Sequence, residues 1–210
     1  MGRYTAASCR QCRREGVRLF LKGDRCYTAS CALTKRKTAP GMLPKFHKKP
    51  TEYAVQLREK QKVKRYYGLL ERQFRKYFDI ASRLKGVTGV LLLQILERRL
   101  DNILYKVGFA PSRKAARQFV GHGHTLINGK KVDIPSYLLR VGDVISLNDK
   151  GGKMALVENA ITKVENRVVP IWLEADQKKK TVKILHIPEK PEMGLEIEIN
   201  EPLIVELYSK

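Results

Sequence analysis

The sequence predicts an α+β fold: an N-terminal four-cysteine knuckle, an all-helical domain, and then a helix–hairpin module that continues into a mostly antiparallel sheet. Three observations predict it. All four cysteines fall within the first 31 residues. Apolar residues recur at helical spacing through much of residues 51–107. Asn128-Gly129, a pair that favours a two-residue hairpin loop, separates two short runs of strand-forming residues.

The cysteines form two close pairs, since two residues separate Cys9 from Cys12 and four separate Cys26 from Cys31. Four thiolates at this spacing suit one structural zinc, whose closed coordination shell leaves no place for water and hence no hydrolytic chemistry. An iron–sulfur cluster, two disulfides or free thiols are the alternatives. A cytosolic compartment disfavours disulfides, and free thiols do not explain the paired spacing. We therefore predict a metal knuckle that holds one structural zinc ion.

The chain carries a large excess of positive charge. It has 42 Lys and Arg against 21 Asp and Glu, a net charge of +21, and residues 1–66 alone carry 18 basic and 4 acidic side chains. Such an excess indicates a polyanionic partner. The basic segments lack a strongly apolar opposing face, and the longest apolar run, residues 90–93, is far shorter than the ~20 residues needed to span a bilayer. We expect no membrane role and a cytosolic location.

The sequence after the cysteines predicts a basic, proline-containing linker at residues 38–50, followed by helices. The predicted helices span about residues 51–67, 71–84 and 90–107. We expect Arg98 and Arg99 to project from the side of the third helix that lies opposite its apolar stripe.

The first two helices each have a side suited to a core. Tyr53, Leu57 and Val63 are expected to be partly buried in the first helix, and basic residues lie on another side. In the second helix the aromatic residues keep helical spacing, so we interpret them as core residues and not as platforms for stacked bases. The expected core residues of this helix are Phe74, Tyr77, Phe78, Ala81 and Leu84.

A short basic helix leads directly into the hairpin. Ser112 is suited to cap this helix, and Arg113 and Arg117 lie one turn apart with Lys114 beside them. A helix N-terminus attracts phosphate, and nearby cations add to that attraction. A basic helix alone is usually a solvated face, and Asn-Gly alone is usually just a turn. The two joined in this order favour RNA binding.

No motif in the chain predicts an enzyme or a small-molecule substrate. Gly152-Lys153 lacks the upstream glycine of a phosphate-binding P-loop, where Leu147 stands, and the following Ser or Thr, where Met154 stands. His122 and His124 could be metal ligands or a general base. We interpret them instead as surface or RNA-contacting groups on a turn.

The segment after the hairpin predicts one more helix and further strands. The helix is expected at residues 154–164, and the strands at 182–187, 195–199 and 203–208.

The order of residues 111–145, in which the basic helix and hairpin precede Asp133–Tyr137 and Val141–Ile145, resembles the RNA-binding module named after the ribosomal protein S-four family. Further stretches extend the resemblance to nearly the whole chain of the bacterial small-subunit ribosomal protein S-four family, in its four-cysteine, zinc-knuckle type. These stretches are residues 1–4, 53–62, 99–102 and 207–209.

The resemblance implies a non-enzymatic structural constituent of the small ribosomal subunit in the cytoplasm, a primary assembly protein that binds small-subunit ribosomal RNA. It also implies contact with small-subunit protein S-five and other ribosomal proteins, a role in translational accuracy, and in some bacteria binding to the protein's own mRNA. Some members lack the cysteines, so the metal site is expected to be an accessory to RNA binding. A free-standing RNA regulator or chaperone, or a fragment of an RNA-modifying enzyme with the same module, is the alternative.

Four segments follow from these features. They are 1–44, a cysteine-rich basic metal-binding arm and linker; 45–97, a helical rRNA-binding domain; 98–165, an S-four-type RNA-binding domain; and 166–210, C-terminal strands that pack on the preceding domains. The predicted RNA contacts are cationic or imidazole side chains in the first three segments. They are Arg10, Arg13, Arg14, Arg58, Lys62, Arg65, Arg113, Lys114, Arg117, His122, His124, Lys130 and Lys131.

Overall fold

The structure, a computed structural model, describes residues 2–42, 49–164 and 169–209. The chain forms two compact units, one of Met1–Leu92 with Leu195–Lys210 and one of Leu93–Gly194. Part of the predicted basic linker, residues 43–48, lies outside the described residues. None of the described helices is both long enough and apolar enough to cross a membrane.

Helices and one antiparallel sheet make up the fold. In chain order, the α-helices within the described ranges are α1 (Ser8–Glu15), α2 (Ala32–Lys35), α3 (Glu52–Tyr66), α4 (Glu71–Arg83), α5 (Thr88–Glu97), α6 (Leu100–Lys106), α7 (Arg113–Gly121), α8 (Asp149–Gly152), α9 (Ala155–Val164) and α10 (Glu201–Ser209). The strands are β1 (Thr125–Ile127), β2 (Lys130–Lys131), β3 (Val144–Leu147), β4 (Leu173–Asp176) and β5 (Thr181–Ile184). They form one sheet in the order β2-β1-β3-β5-β4, with antiparallel neighbours. The predicted mixture of helices with a mostly antiparallel sheet is confirmed.

The first two predicted helices are confirmed as α3 and α4. Thr51 caps α3 by accepting a hydrogen bond from the Ala54 backbone N–H at 3.3 Å. The expected core residues of α4 are buried except Leu84, which follows the last helical residue in an extended conformation and is 49% exposed. Tyr53 is 61% exposed because it lies in the first turn of α3, ahead of the buried face that begins at Gln56. Burial of Leu84 and Tyr53 was therefore predicted wrongly.

The third predicted helix is two helices, α5 and α6, with a break at Arg98 and Arg99. Arg99 is extended and forms an isolated antiparallel bridge with Leu138. The Leu139 N–H donates to the Arg98 carbonyl at 3.0 Å, and the Leu100 N–H donates to the Tyr137 carbonyl at 3.0 Å. These long-range backbone bonds replace helical ones. Periodicity along one segment does not reveal them, so the single helix was predicted wrongly.

Arg98 and Arg99 also point inward, contrary to the prediction that they project from the helix. Arg98 is half-buried and its Nε donates to the Leu139 carbonyl at 2.8 Å. Arg99 is fully buried and pairs with Asp101, with Nε donating to Oδ1 at 3.0 Å. At the break in the helix, the Arg98 side chain turns toward the segment that follows the hairpin, and the Arg99 side chain turns toward the start of α6.

The C-terminal residues form a helix where strands were predicted. Residues 203–208 lie in α10, and residues 195–199 form no strand. A short apolar run fits the period of a helix or of a strand, so the pattern alone does not distinguish them. Packing decides the outcome, because α10 lies against α3, buries Ile204 and stacks Tyr208 on Phe78 with ring centroids 4.4 Å apart.

The predicted four-segment division differs from the observed units at the C-terminus. The prediction joins residues 195–210 to residues 166–194, whereas the structure groups them with Met1–Leu92. The reason is the same packing of α10 on α3, together with a hydrogen bond from the Asn200 N–H to Glu59 Oε1 at 2.8 Å. Contacts between residues distant in sequence leave no mark on local composition.

The core of the second unit lies between one face of the sheet and the helices of that unit. Ile127, Ile145 and Val182 are paired across β1, β3 and β5 and are all buried. Leu104 from α6 and Phe119 from α7 pack into the same cluster. Burial of each such side chain contributes about 1.5–3 kcal/mol. This core holds α7 beside the hairpin.

Glu71 joins three helices of the first unit. Its Oε1 accepts from Lys60 Nζ at 2.5 Å and from the Tyr208 hydroxyl at 3.0 Å, and its Oε2 accepts from Lys64 Nζ at 2.7 Å. Burial by itself raises the pKa of Glu71, but the hydrogen bonds from Lys60 and Lys64 outweigh burial and lower the pKa to about 2.

We predict that Glu71→Gln makes the protein less stable at pH 7 and that the difference disappears in acid. An unfolded glutamate has a pKa of about 4.3, so the stabilisation by ionised Glu71 is present above this pH and is lost as the pH falls toward 2. Thermal melts followed by circular dichroism from pH 7 to pH 2.5 measure this. Glu174→Gln, at an exposed position on β4, is the control, and a difference for Glu71→Gln that stays constant across this range would contradict the prediction.

Candidate nucleic-acid interface

The predicted basic helix and hairpin are both present in the second unit. Ser112 caps α7 by accepting a hydrogen bond from the Ala115 backbone N–H at 3.3 Å. Asn128 and Gly129 connect β1 to β2 with φ angles of 50° and 77°. Two successive central residues with positive φ define a type I′ turn, which suits Asn-Gly. The cap and the turn are therefore confirmed.

The hairpin tip is fixed to the loop that precedes β3. The Asn128 amide donates to Asp143 Oδ1 at 2.9 Å and accepts from the Val144 N–H at 3.0 Å. Asp143 also accepts from the Arg140 N–H at 2.8 Å. These side-chain bonds hold the turn in place, so Lys130 leaves it in a defined direction.

The structure brings several of the predicted RNA contacts together around Gly123. Lys130 and Lys131 are exposed on β2 at the edge of the sheet, and a side chain at Gly123 would collide with that of Lys131. His122 is exposed at the C-terminal end of α7, and its ring centroid lies 6.1 Å from that of His124. We call His122, His124, Lys130 and Lys131 the hairpin cluster. Lys131 and the two imidazoles lie around Gly123, and Lys130 adds a cation on the other face of β2.

Arg113 and Arg117 do not extend into solvent. Arg113 is 7% exposed, its Nε donates to Asn102 Oδ1 at 2.8 Å, and its guanidinium lies 4.3 Å from the centre of the Tyr105 ring. The Arg117 side chain is 12% exposed and lies 3.6 Å from Asp101. Lys114 is half-buried. Both side chains turn toward α6 and do not form an exposed basic face of α7, and their role as RNA contacts stays a prediction.

The three predicted contacts on α3 are all in ion pairs within the first unit. Arg58 lies 3.3 Å from Glu15 Oε1, and Arg65 pairs with the same oxygen. Lys62 lies 2.8 Å from Glu59. The Glu15 side chain is 1% exposed, whereas Arg58 is 40% exposed and keeps donors for another partner. Two of the three cations therefore hold α1 against α3.

The arginines between the cysteines differ in their surroundings. Arg10 is exposed. Arg13 Nε donates to the Thr38 carbonyl at 2.9 Å, and Arg14 donates to the Pro40 carbonyl at 2.9 Å. Arg13 and Arg14 therefore hold the start of the linker against α1.

The four cysteines face a single cavity of about 10 Å³. None of them forms a disulfide; Cys12, Cys26 and Cys31 are buried and Cys9 is half-buried. Burial raises the pKa of the Cys12 thiol and of the Cys26 thiol. Within the described ranges, no three His, Cys, Asp or Glu side chains are arranged as a ready-made metal site. Four sulfur donors around one cavity suit a thiophilic metal ion. In this structure the sulfurs are not arranged with the geometry of a metal-bound site.

Several exposed cations were missed by the sequence analysis. On α4 they occupy the helical positions that the apolar stripe leaves free, which is the signal that would have identified them. In the second unit they lie in the one-turn helix α8, on loops and on β5, where no periodicity marks them. The missed residues include Arg72, Arg75, Lys76, Arg83, Arg140, Lys150, Lys153 and Lys183.

The capped helix, the type I′ hairpin and the exposed cations define a protein of the class that carries an S4 domain, an RNA-binding fold. Residues 98–145 match the S4 domain family, and residues 3–97 match the family described as the ribosomal protein S4/S9 N-terminal domain.

Full-length relatives identify the family. Over 210 residues, which is all of this chain and all of each relative, the chain is 54% identical to small ribosomal subunit protein uS4 of Clostridioides difficile (strain 630) and 50% identical to that of Thermodesulfovibrio yellowstonii. It is 53% identical over the same full length to uS4 of Thermoanaerobacter sp. (strain X514). The chain belongs to the small ribosomal subunit protein uS4 family, a family of structural and non-enzymatic proteins.

We predict that removing the cations around Glu15 is more damaging than neutralising Glu15 itself. Burial raises the pKa of Glu15 in spite of Arg65 and Arg58, so its charge is already disfavoured and depends on both cations. The double variant Arg58→Ala/Arg65→Ala is expected to lower the free energy of unfolding by about 3 kcal/mol, because it removes both ion-pair partners of a buried carboxylate. Adding Glu15→Gln to this double variant should restore most of the loss.

Urea denaturation of these variants measures both effects, with Arg75→Ala on the exposed face of α4 as the control. If Glu15→Gln lowered the stability of the double variant further, compensation of a buried charge would not be the function of the two arginines.

Proposed function

We propose that this chain is a structural constituent of the small ribosomal subunit in the cytoplasm and that it binds small-subunit ribosomal RNA. The observation that carries the proposal is the hairpin cluster of an S4 domain, held by a fixed turn, in a chain that is about half identical over its full length to uS4 proteins. The net charge of +21 supports a polyanionic partner.

The arrangement of cations suits structured RNA. A-form helices are recognised mostly through shape, phosphates and 2′-hydroxyls, because side chains do not fit into their deep, narrow major groove. Each unit offers exposed Lys and Arg, such as Arg72 and Lys76 in the first and Lys130 and Lys131 in the second. Imidazoles at His122 and His124 add hydrogen-bonding groups beside the lysines. The binding is expected to be electrostatic and geometric, without chemical conversion of a substrate.

The finer roles rest on family membership. We propose that the chain binds early in assembly as a primary rRNA-binding protein, contacts small-subunit protein S-five and other ribosomal proteins, and influences translational accuracy. Binding to its own mRNA belongs to the same proposal. High identity over the whole length supports these roles, since no part of the chain is missing from the relatives.

We predict that the protein prefers small-subunit rRNA strongly over other structured RNA. In titrations at several salt concentrations, the Kd for the five-prime domain of small-subunit rRNA is expected to be at least ~10³-fold lower than that for an unrelated RNA of the same size. The variant Lys130→Ala/Lys131→Ala should flatten the log–log salt dependence by about one to two units, since two phosphate contacts are lost. Equal affinity for both RNAs would point to a free-standing RNA chaperone and overturn the ribosomal proposal.

We also propose that Cys9, Cys12, Cys26 and Cys31 hold one zinc ion. The supporting observations are four cysteines, none of them in a disulfide, around one small cavity and a segment that buries few large apolar side chains of its own. Metal binding contributes on the order of 10 kcal/mol in small zinc domains, which is enough to order such a segment. An iron–sulfur cluster uses the same ligands and is the alternative.

We predict one zinc per chain in protein purified without chelator, measured by elemental analysis, and none in Cys12→Ser. Ser30→Ala, a change at an exposed residue beside Cys31, is the control and should retain the metal. A visible absorption band with iron in place of zinc would identify a cluster instead. Folded protein that contains neither zinc nor iron would exclude both the zinc ion and the iron–sulfur cluster.

A further inference from the structure

Five ionisable side chains of the second unit, all between residues 97 and 113, are buried. Glu97 and Arg99 are fully buried, Asp101 is 4% exposed, and Lys106 and Arg113 are 8% and 7% exposed. Charged residues are rarely buried to this degree unless they are paired. They lie at the end of α5, in the break before α6, in α6 and at the start of α7, the helix that leads into the hairpin.

The side chain of Asn102 links two of these charges. Its Nδ2 donates to Glu97 Oε2 at 2.8 Å, and its Oδ1 accepts from Arg113 Nε at 2.8 Å. Glu97 Oε2 also lies 2.6 Å from Lys106 Nζ. The result is a continuous chain of hydrogen bonds, Glu97 to Asn102 to Arg113, that runs from the end of α5 to the first residue of α7. We call it the Asn102 relay.

The chemistry of the relay allows one orientation of its central amide. A carboxylate only accepts hydrogen bonds and a guanidinium only donates them. The residue between Glu97 and Arg113 must therefore donate at one end and accept at the other, as a carboxamide does. Aspartate at position 102 would meet Glu97 as a second acceptor, and an apolar residue would remove one hydrogen bond from each of the two charges.

A second set of contacts holds the next turn of α7. Arg99 pairs with Asp101 through two bonds, and Arg117 lies 3.6 Å from the same carboxylate. Arg113 and Arg117 are one turn apart, so both anchor the same face of α7 to α6. The adjacent stripe of α7, Lys114, Gln118 and His122 at four-residue spacing, then turns outward; Lys114 is half-buried, and Gln118 and His122 are exposed.

We propose that Asn102 and Arg113 are positioning residues for RNA binding, and that they act by fixing the rotation of α7 without contacting RNA. This inference rests on the proposed function of the same surface. The buried pairs are expensive to desolvate, and apolar residues of similar volume often stabilise as well as they do. Stability alone therefore does not account for a buried, directional relay, whereas orientation of the outward stripe and of the hairpin cluster does.

The salt dependence of RNA binding tests the proposal. Removing a residue that contacts a phosphate changes the slope of log Kd against log salt concentration, whereas removing a positioning residue changes the Kd and leaves the slope unchanged. Loss of one phosphate contact flattens the log–log slope by about 0.7–0.9, as expected for Lys131→Ala. Arg113→Gln and Asn102→Asp are expected to raise the Kd for the five-prime domain of small-subunit rRNA by about 10-fold at every salt concentration with the slope unchanged. Discrimination against an unrelated structured RNA should fall by the same factor.

A double variant keeps the test decisive if Arg113→Gln does not fold. In Glu97→Gln/Asn102→Asp the polarity of the first link is reversed, so that the new carboxamide at position 97 donates to the new carboxylate at position 102. That carboxylate still accepts from Arg113. The double variant should bind more tightly than Asn102→Asp alone, and circular dichroism melts establish that each protein compared is folded. If Asn102 contacted RNA directly, adding Glu97→Gln to Asn102→Asp would not restore RNA binding.

The outcomes separate the two proposals. If the wild-type protein does not discriminate between the two RNAs, the proposed function fails. If it discriminates and Arg113→Gln flattens the slope as Lys131→Ala does, Arg113 contacts a phosphate and the inference is overturned. Unchanged affinity in both Arg113→Gln and Asn102→Asp would also overturn it, because the relay would then have no part in binding.

Discussion

One amide in the second unit, Asn102, lies between two buried charges: it is 1% exposed, donates to the Glu97 carboxylate and accepts from Nε of Arg113. An unpaired charge in this interior would cost several kcal/mol. Because the relay joins the end of α5 to the start of α7, the two helices are held by directional bonds and not by apolar packing alone. The type I′ hairpin then continues from a helix whose rotation is already set.

The first unit also contains a buried carboxylate that is paired with arginines, Glu15. This buried carboxylate on α1 receives Arg58 and Arg65 from α3, so the cysteine-rich segment is joined to the helical domain by charge compensation. Tyr27 adds a second link by donating to Glu196 at 2.5 Å. A segment with few large buried side chains thereby gains contacts that the thiol cavity alone would not supply.

Arginine has two distinct roles in this molecule. Where an acid or amide is buried nearby, as for Arg99 and Arg113, the guanidinium is drawn into the interior and organises backbone and helices. Elsewhere, as for Arg72 on α4 and Arg140 in the loop before β3, the guanidinium stays at the surface. Net charge therefore overstates the number of side chains that face a polyanion, since part of the positive charge compensates buried carboxylates.

The sequence by itself determined the capped helix at Ser112, the type I′ turn at Asn128-Gly129 and the core of α4, because each depends on residues a few positions apart. It did not determine the break at Arg98 and Arg99, the helical state of residues 203–208 or the burial of Arg113. Those were decided by partners distant in sequence, namely Leu138, α3 and Asn102. Local sequence patterns show which face of a helix or strand is apolar, whereas only the tertiary structure determines which charged side chains pair with each other.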